Sequence, residues 1–143
     1  MPSKSTTERA KRDLREGKRP STAAGEFVRE EIEHVRHGKH GARSTRQAIA
    51  IGLSKARRAG VPLSPPGKGR VKASTRRSAE RDYEVGQGQR KVRAPSARRS
   101  RATEQALKRE GHAAASRRAL SSHAKRAAQA RRHRGDGARA STR

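Results

Sequence analysis

The stretch STRQAIAIGLSKARRAG, Ser44 to Gly60, decides how this chain is read. Ser44 and Gln47 have the spacing of a capping box, in which side chains satisfy the free backbone groups at a helix start. Ile49, Leu53 and Ala56 then fall on one helical face, with Ala48 and Ile51 flanking them. Gly60 stands where a left-handed cap is expected, Val61 can fold back on the last turn, and Pro62 forbids continuation. A helix over residues 45–59 follows.

Upstream, Ser21 follows Pro20 and can cap a second helix over Thr22–Arg36. Ala24, Val28, Ile32 and Val35 recur on one face with Phe27 beside them, and Gly38 supplies a stop. Residues 22–61 therefore read as a helical hairpin. The loop His37–Arg43 exceeds the 3–4 residue turn of a compact helix-turn-helix. Residues 1–21 read as a basic arm with a short helix from Ser5, where Ser5 and Glu8 have capping-box spacing, to Glu16. Pro65, Pro66, Gly67 and Gly69 make 62–73 a linker. Residues 74–143 read as an Ala/Arg-rich, low-complexity arm. Within it Ser116–Arg132 has helical tendency and carries Leu120, Ala124 and Ala127 on one side.

Composition limits how much of this can pack. Leu, Ile, Val and Phe together number 15 of 143 residues, and the net charge is +25. Ordering a residue costs about 1–2 kcal/mol of backbone entropy, so one core organising the whole chain is not expected. The expected fold class is mainly α with extensive disorder: a small helical hairpin, flexible basic arms and no β-sheet. The chain has no cysteine, which excludes disulfides and Cys-based zinc sites. Its longest apolar run, Ala48–Leu53, is far below the ~20 residues of a membrane span. The first residues lack an apolar signal segment, and Glu8, Asp13 and Glu16 argue against a transit peptide. These features lead us to expect a cytoplasmic protein of the bacterial nucleoid.

An internal echo runs through the chain. Ser5-Thr6, Ala10, Arg12-Asp13-Leu14 and Gly17 parallel Ser74-Thr75, Ala79, Arg81-Asp82-Tyr83 and Gly86. Pro20-Ser21 parallels Pro95-Ser96, and His40, Ala42, Ser44 and Arg46 parallel His112, Ala114, Ser116 and Arg118. A decayed duplication and coincidence in a Ser/Ala/Arg-rich chain both account for this.

The candidate site is the loop from Arg36 to Thr45. It leads into a helix start whose unpaired amides and dipole favour an anion, and Lys39, Arg43, Ser44 and Arg46 surround that entrance. Basic pairs at Arg57-Arg58, Arg117-Arg118, Lys125-Arg126 and Arg131-Arg132 add phosphate-matching groups. Such contacts position a protein on nucleic acid without reading sequence. Aromatic stacking platforms are nearly absent, which favours double-stranded DNA over single strands, with structured RNA an alternative. The expected function is sequence-nonspecific nucleic-acid binding. The alternatives are a self-association or protein-interaction module using Val28, Ile32, Val35, Ile49 and Leu53, and a hydrophilic stress-protection protein. No Walker A loop occurs, and no nucleophile–base constellation suggests an enzyme. His34, His37 and His40 read as solvated, with no metal, cofactor or small-molecule substrate expected.

Residues 25–60 resemble a family of small basic bacterial proteins catalogued as a domain of unknown function. The likeness rests on a basic glycine-containing loop followed by Gln47-Ala48-Ile49-Ala50-Ile51-Gly52-Leu53-Ser54-Lys55-Ala56-Arg57. It implies a bacterial, cytoplasmic origin and carries no activity. The second half is similar in composition to histone H1-like tails.

Overall fold

The computed structural model describes the backbone of residues 2–140 and the side chains of 2–135. Among these residues there are six α-helices and no strand: α1 Lys4–Arg15, α2 Pro20–Arg36, α3 Thr45–Arg58, α4 Ala73–Gly86, α5 Ala97–Arg109 and α6 Arg117–Ala140. A short 3-10 turn at Ala113–Ala115 precedes α6.

The decisive stretch folds as its local chemistry dictates. Ser44 Oγ accepts from the Gln47 amide at 3.1 Å. The reciprocal bond is shifted by one residue, since Gln47 Oε1 accepts from the Arg43 amide at 2.7 Å. At the other end Gly60 has φ +101°. The Val61 amide reaches back to Ala56 and the Gly60 amide to Arg57, each at 3.1 Å. This double closure satisfies carbonyls that the helix end would leave open, and it brings Val61 into the core at 3% exposure.

Two other helix starts differ from the pattern expected. Helix α1 is capped by Ser3, whose Oγ accepts from the Thr6 amide at 3.2 Å, not by Ser5. Helix α2 begins at Pro20 with Arg19 at the cap position. Proline's fixed φ and missing N–H suit the first helical residue, so Ser21 is not needed as a cap.

Helices α2 and α3 form the expected pair and run antiparallel. Ala23, Ala24 and Phe27 at the start of α2 share a buried cluster with Ala56 and Val61 at the end of α3. Val35 at the end of α2 meets Ala48 near the start of α3. The pair does not stand alone. Ala10 and Leu14 of α1 complete the first cluster, and Ala42, Ala114 and Ala115 complete the second. Helix α4 lies on α3, where it buries Ala79.

The expectation of extensive disorder is therefore corrected. Residues 74–140 of the supposed low-complexity arm include three helices and the 3-10 turn, with α4 starting one residue earlier at the end of the expected linker, while 141–143 lie outside the described residues. Local devices set these helices more than burial does. Ser96 Oγ accepts from the Arg99 amide at 3.2 Å and Ser116 Oγ from the Ala119 amide at 3.1 Å, and Ala and Arg have high helix propensity. Helices α1 and α4 start at residues 4 and 73, and α3 and α6 each follow a capping serine.

Few large side chains are available, so packing relies on close backbone approach. A Cβ at Gly52 would lie 2.6 Å from the Val28 Cα. We expect Gly52→Ala to destabilise the fold by about 1–3 kcal/mol through overpacking, despite alanine's better helix propensity. Gly25 of α2 has open space around it, and Gly25→Ala should raise stability by up to ~1 kcal/mol. Thermal melts of the two variants check the opposite signs.

Candidate nucleic-acid interface

The loop between α2 and α3 is held from three sides. The Gly41 amide donates to Leu107 O at 2.8 Å and the Ala42 amide to Gly111 O at 3.0 Å. Gly41 admits no side chain, because its Cβ would meet Glu110 O at 1.9 Å. Thr45 Oγ1 donates to Ala114 O at 2.6 Å, and this bond is buried. The first turn of α3 is thereby fastened to the 3-10 turn, and α6 leaves from the same point.

A groove of about 760 Å³ opens between the start of α3 and α6. Arg43, Ser44, Thr45 and Arg46 form one wall, and His123, Arg126 and Arg134 stand on the other among Ala119, Ala127 and Ala130. The α6 residues recur every three or four positions, so one face of the helix lines the groove. That face differs from the Leu120, Ala124 and Ala127 stripe read from sequence, since Ala124 is exposed.

The candidate residues divide by what they touch. Arg43, Ser44, Arg46 and Arg126 come together in the groove. Arg43 remains largely exposed, with Glu110 4.0 Å away. Arg117, Arg118, Lys125, Arg131 and Arg132 lie exposed along α6, and none is within ion-pair distance of a carboxylate among the described residues. Lys39 faces a separate groove with His34, His40 and Lys55. Arg36 donates from Nε and Nη2 to Ala115 O at 3.2 and 3.0 Å. Arg58 pairs with Asp82 at 3.1 Å.

Arg57, read as half of a surface basic pair, is buried at 7% exposure. Its Nε donates to Leu63 O at 3.2 Å and its Nη2 to Ser64 O at 3.4 Å. Burial lowers its pKa, an effect that nearby Asp82 opposes. Arg57 therefore ties the linker to α3. His123 and Arg134 were not singled out from sequence, although their spacing from Ala119, Ala127 and Ala130 marks a common face.

A second polar centre lies between α2 and α3, and it corrects the reading of solvated histidines for two of the three. Glu31 is completely buried. It accepts from Lys55 Nζ and lies 3.1 Å from His40 Nε2 and 3.6 Å from His34 Nδ1. The two imidazoles are 17% and 19% exposed, whereas His37 is exposed. Burial, foremost, lowers the His34 pKa, with Lys39 and Lys55 adding to it and Glu31 and Glu30 opposing. Burial by itself would raise the Glu30 pKa. The Ser3 amide bond at 2.9 Å, the Ser3 hydroxyl and His34 together outweigh that and lower it.

No family model, curated protein or solved structure matches the chain, so its functional reading rests on these residues. Among the described residues no helix is long and apolar enough to cross a membrane.

The Thr45–Ala114 bond fixes one wall of the groove against the other. Thr45→Val keeps the side chain's shape and leaves a buried carbonyl unpaired, so it should cost about 1–3 kcal/mol. Denaturant titration checks the loss.

Proposed function

We propose that this protein binds nucleic acid without sequence preference, double-stranded DNA foremost, by gripping phosphates in the groove between α3 and α6. The single observation that carries this reading is the gathering of Arg43, Arg46, Arg126 and Arg134 around the capped start of α3. Arginine forks match phosphate oxygens in pairs of hydrogen bonds, and a helix start adds partial positive charge.

The rest of α6 extends the contact. Arg117 to Arg134 span about 25 Å at 1.5 Å per residue. A duplex presents one charge per ~1.7 Å of axis, so such a row can engage several phosphates at once. Stacking on single-stranded bases has little support, because Phe27 is 1% exposed and Tyr83 is half-buried. The apolar stripe of the self-association alternative is drawn into the fold. Val35 is buried, Ile32 and Leu53 pack on the two clusters, and Val28 and Ile49 are half-buried. Charge is left as the surface's principal resource. Cytoplasmic placement on the bacterial nucleoid belongs to this same proposal.

Fluorescence anisotropy on a labelled random-sequence duplex at several salt concentrations tests it. We expect a log–log salt slope of about −6 or steeper, unchanged between sequences. Arg43→Ala, Arg46→Ala and Arg126→Ala should each flatten the slope by about one and weaken binding alike on all duplexes. Weak binding even at low salt overturns the reading, and strong preference for one sequence overturns its nonspecific form.

A further inference from the structure

The buried centre around Glu31 gathers the ligand types and spacing of a metal site. Glu31, His34 and His40 each offer a ligand atom, and these atoms lie within 4.8 Å of one another. Ligands bound at about 2.0–2.2 Å in a tetrahedron stand roughly 3.4 Å apart. Glu31 Oε2 stands 3.1 Å from His40 Nε2 and Oε1 3.6 Å from His34 Nδ1, so each imidazole meets its own oxygen of the carboxylate at close to that separation.

An outer contact orients the His40 ring. His40 Nδ1 faces Gly41 O at 2.8 Å, and a ring nitrogen this close to a carbonyl must donate its hydrogen. In the neutral ring Nε2 is then a bare lone pair pointing at a carboxylate oxygen. Two acceptors at 3.1 Å require a cation between them, either a proton or a metal ion. His34 is held less closely, with Nδ1 3.6 Å from Glu31 Oε1 and Nε2 3.7 Å from Glu30 Oε1, both beyond hydrogen-bond distance. Metal-binding histidines characteristically turn their second nitrogen to a carbonyl or carboxylate, as His40 does.

We propose that Glu31, His34 and His40 form a site for a divalent transition-metal ion of the zinc class, with the Lys55 ammonium as the competing cation. Two imidazoles and a carboxylate are a donor set for zinc or cobalt, with a fourth position left for water. Lys55 Nζ bonds to Glu31 Oε1 and the side chain is 26% exposed. It borders a groove of about 660 Å³ that also admits water to His34 and His40. On metal binding the ammonium moves into that groove, and its positive charge at Glu31 is replaced by that of the ion. The ion also joins the His37–Ser44 loop, through His40, to α2.

The test is a visible-absorption titration of the tag-free full chain with Co²⁺, followed by displacement with Zn²⁺ and metal analysis after dialysis. One ion per chain, with the intense absorption of tetrahedral cobalt, is expected. His40→Ala should weaken binding by at least the ~10–100-fold that loss of an outer contact alone costs. Lys55→Met removes the competitor and should bind Co²⁺ more tightly than the parent chain. Circular dichroism of each variant reports folding separately; should His40→Ala unfold, Lys55→Met still decides the matter. Unchanged or weaker Co²⁺ binding by folded Lys55→Met overturns the proposal. So does equal binding by the His34→Ala/His40→Ala double variant, which would place the ion on other histidines. The residues are distinct from those of the α3–α6 groove, so either reading can fail alone.

Discussion

The close approach of α2 and α3 at Gly52 is the constraint on which the other packing depends. A chain with so few large apolar residues cannot fill a wide gap between helices. Here the gap is closed instead, with Gly52 against the Val28 backbone and alanines at most of the buried apolar positions. Closeness has a further effect. It brings the middle of α2 near enough to α3 for Lys55 to meet Glu31 in the interior, where a carboxylate must be paired. The same spacing sets where the α2–α3 loop emerges, and so where Arg43 and Arg46 stand.

Legibility from sequence followed the range of the interactions. The α3 helix was readable almost to the residue because Ser44, Gln47, Gly60 and Pro62 act within a few positions. Helices α4 and α5 were not readable from apolar periodicity. Helix α4 buries only Ala79 and α5 buries no residue, so neither carries an apolar stripe. The buried face of α2 was read in part: Ala24, Phe27 and Val35 are buried, Val28 and Ile32 are only half-buried, and Ala23, Glu30 and, midway between Phe27 and Val35, Glu31 join the buried set. A charged residue at the centre of that series reads as solvent-facing until its partners, Lys55 and His40, are known. Those partners are set by tertiary structure.

For the candidate site, sequence separated the positive charge poorly into internal and external shares. Arg36, Arg57 and Arg58 looked like Arg43 and Arg46, yet they meet Ala115, Leu63 and Ser64, and Asp82 respectively. Guanidinium groups substitute here for missing apolar contacts, with each long stem covering neighbouring surface while the fork holds a carbonyl or a carboxylate. Of the candidate residues, Lys39, Arg43 and Arg46 near the α3 start and the basic residues of α6 are the ones exposed without such a hydrogen bond.

The two amide bonds that hold the α2–α3 loop, from Gly41 to Leu107 and from Ala42 to Gly111, join positions far apart along the chain. On a ribosome, α1, α2 and α3 emerge well before their loop can close. Until residues 107–115 have been synthesised, Val35, Ala42 and Ala48 lack the alanines that cover them. Synthesis proceeds at about 5–20 residues per second, so this half-finished state lasts for seconds. During that interval the loop that will carry Arg43 exists without its final shape, and completion of the α3–α6 groove is among the last events of folding.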